Sequence, residues 1–306
     1  MRRASSPRRR RSSPPATRRN SAARRGASVE KIDMKAPPPV LTIAGSDSSC
    51  GAGAQADLKA ITALGGYALN ALTSVVSETP GRVSKVCLLE PGIIADQMRV
   101  LFEGFPIAAA KTGMLGGKAQ VEAVVENWRA LAPPGLPLVA DPVMVATGGG
   151  KLLEDDAIQA VRELLLPLAA LVTPNMDEAR VLWGRDVRTR ADMERCAREL
   201  ADVLQTSVLV KGGHLEGGAA ADVLCADGTI TWHETERVPG VRTHGTGCTY
   251  SASIAACLAL GLPLADAVAR AKAYVAGAIG GFLSWQGARG EVHALHHFAG
   301  RLQDAS

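Results

Sequence analysis

The sequence predicts an α/β fold in which a central, mostly parallel sheet is covered by helices on both faces. Short apolar runs that resemble strands alternate along the chain with longer helical segments, which is the order expected of βαβ units. The 306 residues are 47% apolar but only 4% aromatic, so the core is expected to consist of small and aliphatic side chains. Such cores are typical of parallel sheets buried between helices.

Strands are predicted where short apolar runs end in Gly, Pro, Asn or Asp, and helices are predicted for the segments between them. The predicted strands cover residues 40–44, 67–76, 108–112, 138–141, 170–173, 207–211, 221–225 and 229–233. The last two are expected to form a hairpin across Ala226-Asp227-Gly228, which is a turn-forming sequence. The predicted helices cover residues 55–64, 91–105, 119–130, 155–166, 177–183, 190–204, 249–260 and 264–281.

An Arg/Ser/Pro-rich segment, residues 1–38, precedes these elements and is predicted to be disordered. It has ten arginines and two lysines against two acidic residues, about +10. Subtracting this from the chain's net +4 leaves about −6 for residues 39–306. The segment also has few apolar residues, so it cannot bury enough surface to offset the chain entropy lost on folding. The segment could be a dispensable leader, an organelle transit peptide, or sequence upstream of a later start at Met34.

The composition of the remainder excludes several classes of protein. Its mildly acidic balance gives no support for nucleic-acid binding. The absence of a hydrophobic signal region and of any run of 18 apolar residues predicts a cytoplasmic protein without a membrane span. The six cysteines show no CxxC spacing, so they are expected to be reduced thiols, and neither a disulfide framework nor a zinc site is predicted.

Polar or Gly-rich clusters follow most of the predicted strands. They occupy residues 45–53, 77–79, 112–116, 141–150, 173–178, 211–214 and 244–249. Ligands of parallel α/β sheets bind outside the carboxyl ends of the strands. Any one cluster could be an ordinary surface turn, but so many at one edge predict a single composite site.

The sequence THGTGCT, residues 243–249, predicts an anion-binding turn at the start of a helix. Gly245 and Gly247 allow a tight turn in which consecutive amides, with the helix dipole behind them, point at one spot that suits phosphate. The dipole is expected to lower the pKa of Cys248 in the first helical turn. The alternative is a plain strand-to-helix turn with a buried cysteine.

Six segments together resemble one known family. They are AGSDSSCGAGAQADLKA (44–60), KTGMLG (111–116), DPVMVATGGGKLL (141–153), TPNMDEA (173–179), VLVKGGH (208–214) and THGTGCTYSA (243–252). In this order they resemble the hydroxymethylpyrimidine/phosphomethylpyrimidine kinases of thiamine biosynthesis, which belong to the ribokinase-like superfamily. The resemblance covers about residues 39–285.

The resemblance implies a ribokinase-like three-layer α/β/α sandwich over residues 39–306. It implies ATP-dependent phosphorylation of 4-amino-5-hydroxymethyl-2-methylpyrimidine, and then of its monophosphate to the diphosphate, with Mg²⁺ as the metal. It also implies that the protein forms a homodimer. A pyridoxal/pyridoxine kinase of the same superfamily is the alternative enzyme. A pyrimidine-binding sensor is the alternative that is not an enzyme, although a sensor need not retain phosphoryl-transfer residues.

By the same resemblance, the residues of the turn carry the phosphoryl transfer. Gly245, Thr246 and Gly247 supply backbone donors, and Cys248 orients the attacking hydroxyl and accepts its proton. Many ribokinase-like enzymes have an aspartate where Cys248 stands. Alternatively, Cys248 is a small helix-start residue whose amide matters more than its sulfur.

The nucleotide and metal are assigned to the neighbouring loops. Asp141 and Glu178 are expected to hold Mg²⁺, with Asn175 at the ATP phosphates, although Asn175 and Glu178 also fit a helix capping box and Asp141 a turn with its proline. Lys211 at a strand end can reach phosphate as a point charge. The remaining ATP-binding candidates are Thr249 and Lys272, of which Lys272 could equally be a solvated surface lysine.

The pyrimidine is assigned to Gly45, Asp47, Glu78 and Met114, with core packing as the alternative for Met114. Glu78 stands where glutamine is expected, and an ionised carboxylate can only accept hydrogen bonds, so a pH-dependent affinity for the aminopyrimidine is predicted. Cys50 replaces an expected glycine, and residues 147–149 lack a lysine often found there.

Overall fold

The computed structural model describes residues 36–144, 153–213, 215, 219–241 and 244–299. Within these ranges one sheet contains nine strands and a separate hairpin contains two. The sheet strands are β1 Pro39–Asp47, β2 Tyr67–Thr79, β3 Arg82–Leu88, β4 Ala109–Thr112, β5 Leu138–Ala140, β6 Leu171–Val172, β7 Ser207–Gly212, β8 Ala219–Ala226 and β9 Thr229–Glu236. The hairpin strands are β10 Leu283–Gly287 and β11 Gly290–Ala294.

The helices alternate with the strands as the sequence predicts. They are α1 Gly53–Ala63, α2 Pro91–Gly104, α3 Lys118–Leu131, α4 Asp155–Ala160, α5 Met176–Trp183, α6 Arg190–Leu204, α7 Thr246–Ala259 and α8 Leu264–Gly280. The single helix predicted over 155–166 is less regular than expected, because a π-helical turn and a 3₁₀ turn follow α4 as far as Leu168.

The sheet has the strand order β3-β2-β1-β4-β5-β6-β7-β8-β9. Strands β2 through β7 in that order are parallel, whereas β3 pairs antiparallel with β2 at one edge, and β8 pairs antiparallel with both β7 and β9 at the other. The predicted mostly parallel sheet is therefore confirmed. Parallel neighbours bring their carboxyl ends to one edge, so the loops after β1, β4, β5, β6 and β7 meet there.

Two apolar clusters cover the two faces of the sheet and make three layers. Val40 and its neighbour Leu41 point to opposite faces, as the period of two in a strand requires. One cluster packs the sheet against α2, α3, α4, α5 and α6, and the other packs it against α1, α7 and α8. This arrangement is the predicted α/β/α sandwich.

Three strands were not predicted from the sequence. β3 follows a turn at Pro80-Gly81, where Gly81 has φ +79°, and the hairpin β10–β11 turns just before Gly290, with φ +109°. Both segments are short, and β3 is exposed along its whole length, so neither shows the apolar pattern of a buried strand. The hairpin predicted across residues 226–228 is confirmed, with positive φ at Asp227 and Gly228.

Several predicted features lie outside the described residues. They are nearly all of the predicted disordered segment 1–38, the segment 145–150 with its 147–149 departure, His214, and Thr243 of the turn motif. Residues Pro37–Ser306 form one compact unit. Among the helices that the structure describes, none combines the length and apolar character needed to span a bilayer.

Candidate active site

The turn at the start of α7, which consists of the N-cap Gly245 and the first helical residues through Cys248, is held against the β1–α1 loop, residues 48–52. Gly245 has φ +81°, and a Cβ atom at this position would overlap the Gly51 carbonyl oxygen. The first hydrogen bond within the helix runs from the Thr249 amide to the Gly245 carbonyl (2.9 Å), so the preceding amides lie ahead of the helix's own ladder. We call these four residues the α7 turn. Gly245 therefore needs to be glycine, as the sequence indicated, whereas Gly247 has no positive φ.

A lysine and a buried aspartate lie directly opposite the α7 turn. Lys211 Nζ is 2.8 Å from Asp141 Oδ1, and Asp141 also accepts hydrogen bonds from Thr173 and Ser251. An added Cβ on Gly247 would lie 3.3 Å from Lys211 Nζ and 3.7 Å from Asp141 Oδ2. Helix-start amides and an ammonium group therefore face one another, as an anion site requires.

Burial and charge act in opposite directions on this pair. Burial alone would raise the pKa of Asp141, but Lys211 and Lys111 outweigh it and lower that pKa. Burial alone would lower the pKa of Lys211, but Asp141 and Glu178 outweigh it and raise that pKa. Both groups are therefore ionised at neutral pH.

Asn175 and Glu178 form the capping box of α5 that the sequence allowed as an alternative. The Glu178 amide donates to Asn175 Oδ1 and the Asn175 amide donates to Glu178 Oε2, both at 2.9 Å. The Glu178 side chain is nevertheless buried, and burial raises its pKa to about 7 even though Lys211 opposes the shift. The capping box thus places an acidic group with an elevated pKa beside the Lys211–Asp141 pair.

Replacing Glu178 by glutamine is expected to stabilise the protein at pH 8 but not at pH 5. A carboxyl with a folded-state pKa near 7 and a reference value of 4.5 destabilises the fold progressively as pH rises between those values, and fully above 7. The variant should gain about 1–2 kcal/mol at pH 8. Urea unfolding at the two pH values measures this, and an equal effect at both would contradict the elevated pKa.

Cys248 lies between the α7 turn and the start of α1, where its sulfur accepts a hydrogen bond from the Gly53 amide. Burial raises the pKa of its thiol to about 11, although Lys111 and the Gly53 amide oppose the shift. The lowered pKa expected from the helix dipole is therefore wrong, because desolvation of a thiolate exceeds the stabilisation from the helix end. Cys248 is a neutral thiol at physiological pH.

A second buried ion pair lies beneath the site, and sequence reasoning did not single it out. Lys111 Nζ is 2.8 Å from Asp57 Oδ2, which also accepts from Thr42 Oγ1 at 2.6 Å, and both charged side chains are fully buried. The field of Lys111 reaches both Cys248 and Asp141. The sequence feature that could have indicated this pair is Lys111, a lysine within an otherwise apolar strand.

Asp47 is engaged by the protein itself, and its expected role in lining the pyrimidine stays a prediction. Its carboxylate accepts from the backbone and hydroxyl of Ser49 and from the amides of Gly51 and Ala52. His244 Nε2 lies 3.1 Å from Oδ2. Burial alone would raise the pKa of Asp47, but these hydrogen bonds outweigh it and lower that pKa to about 2.

Glu78 lies near Asp47, on the other side of His244. Its Oε2 is 3.9 Å from His244 Nε2, and the three side chains could together offer ligand atoms to a cation. Burial and the Asp47 charge raise the pKa of Glu78, while His244 opposes the shift. His244 was not among the predicted site residues. The pH-dependent affinity predicted for Glu78 stays a prediction.

Gly45 and Met114 adjoin each other at the carboxyl ends of β1 and β4, as predicted. The Gly45 amide donates to the Met114 carbonyl at 3.0 Å, and a Cβ on Gly45 would lie 2.8 Å from Met114 Cε and would overlap Ser74 Oγ. Cys50, in the nearby loop, adopts φ +58°, so the replacement of an expected glycine places an L-residue in the left-handed region.

Two predicted ATP-binding side chains are directed elsewhere. The Thr249 hydroxyl is fully buried, 3.1 Å from His297 Nε2 and on a different side of α7 from Ser251. Lys272 is not a solvated surface lysine either, because its Nζ lies 2.7 Å from Asp222 Oδ2 and the side chain is largely buried. Asp222 Oδ1 in turn accepts from the Gly212 amide, next to Lys211.

A groove of about 560 Å³ lies between the end of β9 and the carboxyl-terminal half of α8. It is lined mostly by small residues: Thr235, Glu236, Val238, Ala273, Ala276, Gly277, Gly280, Gly281 and Ala299. His297 connects this region to the α7 turn, because its ring contacts Thr249 and its carbonyl accepts from the Tyr274 hydroxyl on α8. Because β8 is antiparallel to both β7 and β9, the end of β9 that lines the groove lies at the same edge of the sheet as Lys211.

The three-layer fold, with a glycine-rich helix start facing a lysine, defines a ribokinase-like kinase. Among solved structures, the ADP complex of Bacillus subtilis pyridoxal kinase superposes with a TM-score of 0.78 at 35% identity, over 87% of this chain and 99% of that one. The phosphomethylpyrimidine kinase of Clostridium difficile superposes with a TM-score of 0.70 at 37% identity, over 79% and 99%.

A family model described as phosphomethylpyrimidine kinase matches residues 47–293, and the chain belongs to that family. The hydroxymethylpyrimidine/phosphomethylpyrimidine kinase of Rhizobium meliloti is 41% identical over 261 residues, which cover 84% of this chain and 97% of that protein. The thiamine biosynthesis bifunctional protein ThiED of Geobacter sulfurreducens is 41% identical over 244 residues, 78% of this chain, which spans only 49% of that relative. Membership implies a small-molecule acceptor with ATP as co-substrate.

Proposed function

We propose that residues 39–306 phosphorylate the hydroxymethyl group of 4-amino-5-hydroxymethyl-2-methylpyrimidine and then the resulting monophosphate, giving the diphosphate used in thiamine biosynthesis. The observation that carries this proposal is the α7 turn, which faces Lys211 and Asp141 and has the Cys248 thiol at its edge. The names of the relatives support it. The acceptor is proposed to lie beside Gly45, Glu78 and Met114.

The nucleotide is proposed to run from the β9–α8 groove to the α7 turn. The small residues of the groove suit a flat base, and its volume is within the usual range of ligand pockets. Lys211 would contact the phosphates. Asp141 and Glu178 offer the hard oxygen donors that Mg²⁺ prefers, so they would hold this ion, which supplies positive charge to the phosphates. Lys272 would act indirectly, by fixing Asp222 and hence Gly212.

The chemistry requires a bond from the acceptor oxygen to the γ-phosphorus as the bond to the ADP oxygen breaks. The amides of the α7 turn and the Lys211 ammonium would stabilise charge on the transferring group. Because the Cys248 thiol is neutral, it would orient the acceptor oxygen by a hydrogen bond, and a hydroxyl proton would leave with the phosphorylated product and pass to solvent. In the second step the acceptor is already an anionic phosphate oxygen, which has no need of a base.

Replacing Cys248 by aspartate is expected to impair the second phosphorylation more than the first. A carboxylate beside an anionic acceptor costs several kcal/mol at short range, whereas a neutral hydroxyl suffers no such repulsion. Relative to the asparagine variant, which has the same shape without the charge, the aspartate variant should lose about 100-fold more rate with the monophosphate than with the alcohol. Steady-state assays with each acceptor measure this. An equal loss with both acceptors would contradict the role assigned to the neutral thiol.

A coupled assay with hydroxymethylpyrimidine, its monophosphate and pyridoxal tests the overall proposal. Turnover of both pyrimidines is expected. Pyridoxal kinase is the second candidate, because structures with that name superpose on this chain with TM-scores no lower than that of the phosphomethylpyrimidine kinase. Turnover of pyridoxal alone would establish that candidate, and tight pyrimidine binding without any turnover would establish a sensor.

We also propose that the protein acts as a homodimer in the cytoplasm. Edge strand β3 exposes Val83, Val86 and Leu88 to 44–47% each, and unpaired apolar edges favour association with another strand. Light scattering should give twice the chain mass, and Val86→Asp should shift it toward the monomer. A monomeric wild-type protein would exclude the dimer, and recovery in a membrane or organelle fraction would exclude the location.

A further inference from the structure

His244, immediately before the α7 turn, joins that turn to the β1–α1 loop. Its Nε2 lies 3.1 Å from Asp47 Oδ2, at the start of the loop, and 3.9 Å from Glu78 Oε2 on β2. The side chain is 19% exposed and Asp47 is fully buried. The hydrogen bond to Asp47 and the charges of Asp47 and Glu78, on two neighbouring strands, raise the pKa of His244, although burial opposes the shift.

Asp47 has little capacity left for a ligand, so its contacts fix the loop. Ser49, Gly51 and Ala52 donate to it from within the loop, at 2.6–3.0 Å. An ionised carboxylate offers about four acceptor positions, which the four donor groups of the loop already match, and His244 adds a fifth donor. His244 is the donor that comes from the α7 side. The Asp47 carboxylate is therefore a joint between two parts of the chain about 200 residues apart in sequence.

Two other contacts connect the α7 turn to the β1–α1 loop and the start of α1. Gly245 approaches the Gly51 carbonyl so closely that no side chain fits between them. The Gly53 amide donates to the Cys248 sulfur. A small shift of residue 244 is therefore expected to move the amides of the turn and the Cys248 thiol as well, because these atoms are too tightly packed to move independently.

We propose that His244 is a positioning residue, whose hydrogen bond to Asp47 holds the α7 turn in register with the β1–α1 loop so that the transferring group and the acceptor meet. This inference rests on the proposed function. It assigns His244 no contact with the acceptor or with ATP. Misplacement of reacting groups by 1 Å can cost about 100-fold in rate. The loss should therefore appear in kcat and much less in either KM.

The test compares His244→Leu, which keeps volume but has no donor, with His244→Gln, whose amide can still donate to Asp47. The leucine variant is expected to lower kcat about 100-fold for both acceptors, with each KM within about threefold. The glutamine variant is expected to recover at least about tenfold of that loss. In an Asp47→Asn background, His244→Leu should cost much less than in the wild type, because its partner is already altered. His293→Leu removes a histidine paired with Glu291 (3.4 Å) in the separate hairpin and should leave kcat unchanged.

Alkylation of Cys248 by iodoacetamide, followed by peptide mass spectrometry, tests the joint without any turnover. The leucine variant should react faster than the wild type and the glutamine variant should not. Three outcomes would overturn the inference. They are a wild-type kcat in the leucine variant, a change confined to the pyrimidine KM, and equal losses in both variants. If the leucine variant does not fold, kcat and alkylation of the glutamine variant and of Asp47→Asn decide. Failure of the wild type to phosphorylate any pyrimidine would refute the proposed function instead, and the alkylation comparison would still test the joint.

Discussion

Gly245→Ala is expected to lower kcat/KM by at least about 1000-fold, because a single methyl group displaces both the phosphoryl-binding amides and the loop opposite them. The methyl would overlap the Gly51 carbonyl oxygen and lie 2.7 Å from the Gly51 carbonyl carbon and 2.9 Å from the Ala52 Cα. All three are backbone atoms, so no side chain can rotate away. Residue 245 also has φ +81°, where an L-residue is strained by about 1 kcal/mol. Steady-state kinetics and urea unfolding measure the two effects.

A matched control for this variant lies at the other end of the same helix. Gly261 has φ +86°, nearly the same as Gly245, but a Cβ there would meet no atom within 4 Å. Gly261→Ala should therefore lose about 1 kcal/mol of stability and keep wild-type kinetics. If Gly245→Ala were no more harmful than Gly261→Ala, the close approach of the α7 turn to the β1–α1 loop would not matter for catalysis.

The fold could be predicted from the sequence because local pattern and global topology agree. The β1 run from Val40 to Ala44 is apolar except for Thr42, and the middle of α7, from Thr249 to Cys257, is buried and rich in small residues, so both could be recognised without any partner. β3 and the β10–β11 hairpin are exposed, and their pairing depends on neighbours that periodicity does not reveal. Prediction was therefore accurate for the buried layers and for the β8–β9 hairpin, and it failed for the exposed edge strand β3 and the separate hairpin.

The candidate site was predicted less completely because its electrostatics depend on burial. Gly245, Lys211 and Asp141 were placed together by the rule that loops after parallel strands converge. The direction of the Cys248 pKa shift was wrong, because a sequence shows the helix start but not the desolvation around it. For a similar reason, the sequence did not predict which residues of the chain hold Asp47. Its partner His244 lies far away along the chain, and only the folded structure shows the contact.

Lys211→Met is expected to lower kcat about 100- to 1000-fold and to destabilise the protein by about 3 kcal/mol. The first effect comes from removing the cation that faces the α7 turn. The second comes from leaving the Asp141 carboxylate, which is 2% exposed, without its closest countercharge. Thr173, Ser251 and the more distant Lys111 still stabilise that carboxylate, so the loss should fall at the lower end for a broken buried pair.

Adding Asp141→Asn to Lys211→Met separates folding from catalysis. The asparagine removes the uncompensated charge and can still accept from Thr173, so most of the lost stability should return. The kcat should stay low, because both the Lys211 cation and a proposed Mg²⁺ ligand are absent. Unfolding free energies and kcat for both single variants and the double variant measure this, with the Lys118–Glu122 surface pair (3.7 Å) as a control whose disruption should change neither quantity. Recovery of kcat along with stability would show that the Lys211–Asp141 pair only holds the fold together. The phosphates would then need another cation, and Lys111 could not serve in its place, since its ammonium is fully buried against Asp57.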